Sequence, residues 1–143
     1  MKIIKFFFHV YLLRIKPILV RMLGVKLGKN CRVYTSIFNL DNVAPRLIHI
    51  GNGCCLAKGA VILSHDFSRF GFKHPEKKPV QIEDNVFIGK NAIILPGIHI
   101  GRNCVIGAGA VVSKNVPADT VVAGNPATVI CTMDEYVKKA SHP

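Results

Sequence analysis

The stretch Ile82-Glu-Asp-Asn-Val-Phe-Ile88-Gly-Lys-Asn-Ala-Ile-Ile94-Leu-Pro-Gly-Ile-His-Ile100-Gly-Arg-Asn-Cys-Val-Ile106-Gly-Ala-Gly-Ala-Val-Val112 decides the fold. Aliphatic residues return at strict six-residue intervals, and glycine follows three of these anchors, at Gly89, Gly101 and Gly107. Neither the 3.6-residue period of a helix nor the two-residue alternation of a lone strand gives that spacing. A parallel β-helix does, because each hexapeptide forms one flat side of a triangular coil. Four residues after each anchor come Val86, Ala92, Ile98, Cys104, Ala110 and Val116, all apolar and half of them small. Anchor and small position share one side of the pleated strand and point into the coil, while Lys90, Asn91, Arg102 and Asn103 lie outward or at corners.

The register continues upstream. Leu27 with Gly28 and Cys31, Val33 with Ile37, Ile50 with Gly51 and Cys54, Leu56 with Ala57 and Ala60, and then Ile62 all fit it, with interruptions at residues 39–49 and 66–79. Roughly four to five turns are predicted. The 143 residues form an all-β unit with three parts: a basic amphipathic helical segment over 1–26, the coil over 27–130 with its loop at 66–79, and a C-terminal cap over 131–143. Half the residues are apolar, only 8% are aromatic and none is tryptophan, so Ile and Val fill the core. A solenoid needs its ends covered, and capping is the plainest role for both terminal segments.

Five cysteines stand at Cys31, Cys54, Cys55, Cys104 and Cys131 without a CxxC pair. Three of them occupy the inward small position, which favours packing over disulfides, metal binding or covalent catalysis, and a reducing cytoplasm fits. The formal charge of +11 calls for an anionic partner. The basic residues are spread along the chain rather than interleaved with exposed aromatics, so nucleic acid ranks last. The N-terminal apolar run Phe6–Leu13 contains His9, is broken by Arg14 and Lys16, and lacks a small-x-small cleavage site, so it reads as neither a signal peptide nor a membrane span. Two roles stay open for it. It could lie on an anionic membrane surface with Lys2, Lys5, Arg14 and Arg21 toward headgroups, or it could cap the solenoid and pack on a neighbouring subunit, which is favoured.

Three stretches carry a family resemblance. They are Ile62-Leu-Ser-His65-Asp66 with the loop to Lys78-Pro-Val-Gln-Ile82, then Ile82–Gly89, and finally Ile106–Pro117 with Ala123-Gly-Asn-Pro-Ala127. Together they resemble the hexapeptide-repeat acyltransferases, in particular the maltose, galactoside and xenobiotic acetyltransferases and the bacterial polysaccharide O-acetyltransferases. The resemblance implies a left-handed parallel β-helix, although crossover statistics alone favour the opposite hand. It also implies a homotrimer with active sites between subunits, acetyl-CoA as acyl donor without a metal, and direct transfer to a hydroxyl or amine.

On that resemblance His65 falls where the family's catalytic histidine stands. A sugar hydroxyl is a weak nucleophile near neutral pH, and a histidine base contributes roughly 10²–10⁴-fold. A loop histidine in isolation is more often structural; the surrounding motif reverses those odds. Asp66, adjacent on an extended segment, points away from His65, so a backbone carbonyl or a carboxylate from elsewhere is expected to orient the ring. The resemblance further assigns Gly107, Ala108, Ser113, Lys114, Asn125 and Pro126 to the cofactor, with Lys114 toward its phosphates. Phe87 stands where relatives often carry Trp, and Thr128 where they often carry Lys or Arg. Asn39, Asp66 and His74 are candidate acceptor contacts. Phe67, Phe70 and Phe72 would cover the acceptor or grip the next subunit.

The expected activity is O-acetylation of a sugar, with the basic N-terminus suggesting a lipid-linked or surface-polysaccharide acceptor at the inner face of a membrane. An amino-sugar N-acetyltransferase is the alternative, followed by a metal enzyme of the γ-class carbonic anhydrase type and a non-catalytic scaffold. The six histidines lack the close pair the metal enzyme requires. A scaffold would need neither His65 nor Lys114.

Overall fold

In the computed structural model, which describes residues 17–68 and 73–141, the six-residue beat winds into a coil. Fifteen short strands line it: β1 (Lys26–Leu27), β2 (Arg32–Val33), β3 (Ile48–Ile50), β4 (Cys55–Leu56), β5 (Val61–Ile62), β6 (His65–Asp66), β7 (Glu76–Lys77), β8 (Val80–Ile82), β9 (Phe87–Ile88), β10 (Ile93–Ile94), β11 (His99–Ile100), β12 (Val105–Ile106), β13 (Val111–Val112), β14 (Thr120–Ala123) and β15 (Thr128–Thr132). Twelve of them sort into three flat faces, β1-β3-β8-β11, β2-β4-β9-β12-β14 and β5-β10-β13, all parallel, while β6 and β7 form a separate antiparallel pair. Antiparallel β15 closes the second face.

The register aligns the anchors in columns. Leu27, Ile50, Ile82 and Ile100 succeed one another on the first face, and Val33, Leu56, Ile88, Ile106 and Val122 on the second. Ile62, Ile94 and Val112 do so on the third, where Leu40 bridges to Ile62. Every one of these side chains is buried. Each contributes about 1.5–3 kcal/mol of transfer free energy, so the stack rather than any single strand holds the fold. Backbone bonds run from coil to coil, for example Gly51 N to Ile82 O at 2.8 Å and Ala57 N to Ile88 O at 2.9 Å.

Corners fall three residues after the anchors, and there the chain takes positive φ at Asn30, Gly53, Gly59, Asn85, Asn91, Gly97, Asn103, Gly109 and Asp119. Glycine, asparagine and aspartate tolerate that left-handed conformation best. At Gly59 (φ 79°) a Cβ would also collide with Asn91 Oδ1 of the next coil. The asparagines pair along the corner, Asn85 Nδ2 donating to Asn103 Oδ1 at 3.3 Å and Asn103 Nδ2 to Asp119 Oδ1 at 2.8 Å.

Cys31, Cys54 and Cys104 are buried, and no cysteine forms a disulfide. Their thiols donate to carbonyls of the next coil, Cys31 to Gly51 at 3.1 Å, Cys54 to Glu83 at 3.1 Å and Cys104 to Pro117 at 3.0 Å. Ile37 is only half-buried, because a 3₁₀ turn over Ile37–Asn39 lifts it out of the repeat.

Both ends carry helices. In α1 (Pro17–Met22) Val20 is buried, and Arg21 clasps the first coil through Nε to Leu27 O at 3.0 Å and Nη2 to Gly28 O at 2.7 Å. Of the helical segment expected over residues 1–26, residues 1–16 with Lys2, Lys5 and Arg14 lie outside the described residues. The first strand of the coil, β1, ends on the anchor Leu27. At the other end β15 turns back at Thr128, ahead of residue 131, and leads into α2 (Met133–Ala140). A capping box, in which the Thr132 and Glu135 side chains each accept from the other's backbone N–H, starts α2. Among the described residues no helix is long and apolar enough to cross a membrane.

Candidate active site

The coil leaves its path after β5, runs out through β6 and returns through β7, with His65 paired to Lys77 and Asp66 to Glu76. Lys78 N closes the excursion on Ser64 O at 2.9 Å. On the preceding coil, Leu40 bridges to Ile62 and Asp41 N donates to Ile62 O at 3.0 Å. Stacking thereby sets Asp41 beside Ser64 and His65, residues more than twenty positions later.

Asp41 is buried, and its carboxylate is fully engaged. Oδ2 accepts from Ser64 N at 2.6 Å, from Ser64 Oγ at 2.9 Å and pairs with His65 Nδ1 at 2.5 Å. Oδ1 accepts from Val43 N at 2.8 Å and Ala44 N at 3.3 Å. Burial opposes the charged form most, yet the bonds from His65, Ser64 and Val43 together outweigh it and hold the carboxyl below the usual aspartate value. Asp41 is therefore ionised at neutral pH and accepts only, so the proton of a neutral His65 ring sits on Nδ1. Nε2 is left as the basic nitrogen, with no hydrogen-bond partner among the described residues. The ring is largely covered, its side chain 18% exposed, and Phe67 meets it edge-on at 5.2 Å. Phe70 and Phe72 lie outside the described residues.

The remaining candidates occupy three places. Ser113, Lys114 and Pro126 line one cavity of about 260 Å³ together with Thr128. They meet because the β14–β15 turn is tied onto β13, Val111 N to Gly124 O at 2.9 Å and Ala127 N to Val111 O at 2.8 Å. Asn125 is exposed in that turn. Lys114 has no carboxylate partner among the described residues, which leaves a cation at the cavity rim. Phe87 stands on the second face between Cys55 and Val105, 43% exposed, and does not line that cavity. Gly107 and Ala108 follow β12 at the corner; a Cβ on Gly107 would come within 2.8 Å of Ala123 Cβ, so coil stacking already accounts for this glycine. Ala108 is exposed.

Asn39 lines a second cavity, and its Nδ2 donates to Thr35 Oγ1 at 2.9 Å. Asp66 Oδ1 accepts from Ser68 N at 2.7 Å, fixing the turn after β6. His74 is exposed on the return toward β7. Outward-facing His99 pairs instead with Glu83, Nε2 to Oε1 at 2.9 Å. No three His, Cys, Asp or Glu side chains gather as metal ligands among the described residues.

Known proteins match this architecture. A family described as the hexapeptide repeat of succinyl-transferase matches residues 79–114. Protein CapG of Staphylococcus aureus is 38% identical over 125 residues, covering 84% of this chain and 73% of CapG. The solved maltose O-acetyltransferase of Clostridium difficile 630 is 33% identical, with 79% of this chain and 72% of that one covered and a TM-score of 0.55. The chain belongs to the hexapeptide-repeat acetyltransferases. Its coil is thus the left-handed parallel β-helix of that family, against the usual hand of parallel crossovers. A galactoside acetyltransferase solved in complex with coenzyme A superposes on this acetyltransferase with a TM-score of 0.61 at 25% identity, over 84% of this chain and 70% of that one. The chain also matches 2,3,4,5-tetrahydropyridine-2,6-dicarboxylate N-acetyltransferases, but spans only 27–30% of their length.

Sequence reading missed Asp41. It lies in the interruption at 39–49, where the count of six is lost. The signal available was an acid directly after an aliphatic residue, Leu40, one coil before the histidine, in a segment that had to rejoin the stack at Ile48.

Proposed function

We propose that this chain is an acetyl-CoA-dependent O-acetyltransferase of a sugar hydroxyl, with His65 as the general base and Asp41 as the residue that positions it. The observation that carries this reading is the 2.5 Å bond between Asp41 Oδ2 and His65 Nδ1. It presents Nε2 as the one basic ring nitrogen and stabilises the imidazolium formed when a proton arrives.

Acetyl-CoA supplies the acetyl group as a thioester with a good leaving thiolate. His65 Nε2 removes the acceptor hydroxyl's proton as that oxygen bonds to the acetyl carbon, and the same proton then passes to the departing sulfur. Atoms and charge balance, and the ring returns to its starting state. Backbone N–H groups at the coil surface would stabilise the developing oxyanion. The residues fit the cofactor: Lys114 and Ser113 at the 260 Å³ cavity offer a cation and a hydroxyl to its phosphates, and the Asn125–Pro126 turn bounds the same place. Phe87, exposed on another face, would wall the donor site of a second copy.

That assignment brings a homotrimer with it. The outward positions of the third face are Val61, Ile93 and Val111, all half-buried within one chain, and such an apolar column suits an interface between copies. A surface polysaccharide or lipid-linked sugar is the acceptor class that a formal charge of +11 and a basic N-terminal segment support, with work at the inner, cytoplasmic face of a membrane.

An N-acetyltransferase is the second reading, favoured by the 45% identity over 83 residues to the tetrahydropyridine-dicarboxylate enzyme of Staphylococcus aureus. One experiment separates the two. Candidate sugars and amino sugars are incubated with acetyl-CoA, and products are identified by mass spectrometry before and after hydroxylamine. The proposal expects hydroxylamine-labile esters; stable amides alone would replace it with the second reading.

A further inference from the structure

The cavity of about 500 Å³ beside Asn39 holds a feature that acetyl transfer does not require. Two lysines, Lys58 and Lys90, line it. Each follows its anchor by two residues, and the anchors Leu56 and Ile88 are register partners, so the lysines take equivalent corner positions on adjacent coils. Asn91 N, bonded to Lys58 O at 3.2 Å, ties the two corners together. Strand spacing in a sheet is about 5 Å, so the two lysines leave neighbouring backbone positions and both line one cavity. Both side chains are exposed, and neither pairs with a carboxylate among the described residues; the ion pairs there are His65–Asp41, Lys78–Glu76 and His99–Glu83.

The rest of the wall is suited to a small ligand. Leu19, Tyr34 and Ile37 give apolar surface, and Tyr34 is 38% exposed. Asn39 is held in place by a chain of bonds, its Nδ2 to Thr35 Oγ1 at 2.9 Å and Thr35 Oγ1 to Ala60 O at 2.7 Å. Asn39 stands two residues before Asp41, so one short backbone segment both lines this cavity and positions His65.

We propose that Lys58 and Lys90 read a phosphate on the acceptor, making the substrate class of this site a phosphorylated sugar, free or as part of a nucleotide- or lipid-linked sugar. This rests on the reading of the chain as a sugar acetyltransferase. A sugar 1-phosphate, a monoester, carries about −1.5 to −2 charges near neutral pH, and the diphosphate of a nucleotide- or lipid-linked sugar about −2, so either suits a pair of ammonium groups, whereas a carboxylate needs one. Tyr34 would lie against the sugar ring, and Asn39 would bond its hydroxyls. Coenzyme A also carries phosphates, so the test must separate the two sources.

Binding to the full chain is measured by calorimetry with saturating coenzyme A present, so that donor phosphate sites are filled. Glucose 1-phosphate and galactose 1-phosphate are compared with their methyl glycosides and with glucuronate and galacturonate, in the wild type, Lys58→Ala, Lys90→Ala and Lys90→Glu. The expected result is tenfold or tighter binding of a sugar phosphate over its methyl glycoside. Each lysine variant should lose roughly tenfold or more of that affinity while coenzyme A affinity and thermal midpoint stay at wild-type levels. Three results would overturn the proposal: no preference for the phosphate, a stronger preference for the uronates, or lysine variants that keep their fold but lose coenzyme A instead. Because the readout is binding, a chain that binds sugar phosphates yet transfers no acetyl group would sink the proposed function and leave this site standing.

Discussion

At the residue scale the decisive contact joins Asp41 to His65 across two coils. Asp41→Asn keeps the shape but replaces an acceptor-only carboxylate with an amide, which removes the fixed tautomer and the charge that supports the imidazolium. Turnover should fall by about 10²–10⁴-fold with coenzyme A affinity unchanged. Steady-state kinetics beside coenzyme A titration checks this, and a wild-type rate would remove Asp41 from the mechanism. The same residue sets an acid limit on stability. Its folded carboxyl titrates below the ordinary value of 3.8, so its contribution is fully present above that value and is lost as pH falls through the folded value. Denaturant midpoints at about pH 6 and pH 3 should therefore converge more in Asp41→Asn than in the wild type. His65 stood out as a candidate because a motif surrounds it along the chain. Asp41 was not, because its partnership runs across the stack and passes through a stretch where the repeat gives no register.

At the scale of elements, the repeat anticipated β1 to β5 and β8 to β13, but not the hairpin β6–β7 or the closing strands β14 and β15. Anchors from Ile82 to Val112 are buried on three faces, as their spacing required. The repeat fails where local hydrogen bonding competes with it: Ser36 caps a 3₁₀ turn that pulls Ile37 outward. Ile88→Ala tests the stack itself. Ile88 is fully buried between Leu56 and Ile106, and its truncation should cost about 2–5 kcal/mol in equilibrium denaturation. A change under about 1 kcal/mol would mean the column is not the source of stability. The β14–β15 turn makes a separate prediction, since it brings Pro126 against Ser113 and Lys114. Lys114→Ala should weaken coenzyme A binding several-fold without shifting the thermal midpoint, and equal affinity in calorimetry would take Lys114 out of the donor site.

At the scale of the whole molecule, the proposed site residues of one chain stand in separate places. His65 opens from the third face, Phe87 stands on the second, and the Lys114 cavity lies at the C-terminal end of the coil. The cavity at Lys114 includes neither His65 nor Phe87. Assembly of three copies would bring such places together, and the apolar outward column Val61, Ile93 and Val111 offers the surface. Ile93→Glu should shift the mass seen by light scattering from trimer toward monomer and abolish turnover in parallel. Turnover that survives in a monomer would require a complete site within one chain. The six-residue period told of a solenoid and the composition of a basic one, but an arrangement of copies is not written in the period of a single sequence.

The most direct test of the base assignment is acetyl transfer by His65→Ala, followed by mass-spectrometric detection of the acetylated sugar so that the five cysteines do not interfere with a thiol readout. Turnover about 10²–10⁴-fold below the wild type, with coenzyme A still bound, is the predicted result. Transfer at the wild-type rate would contradict the account.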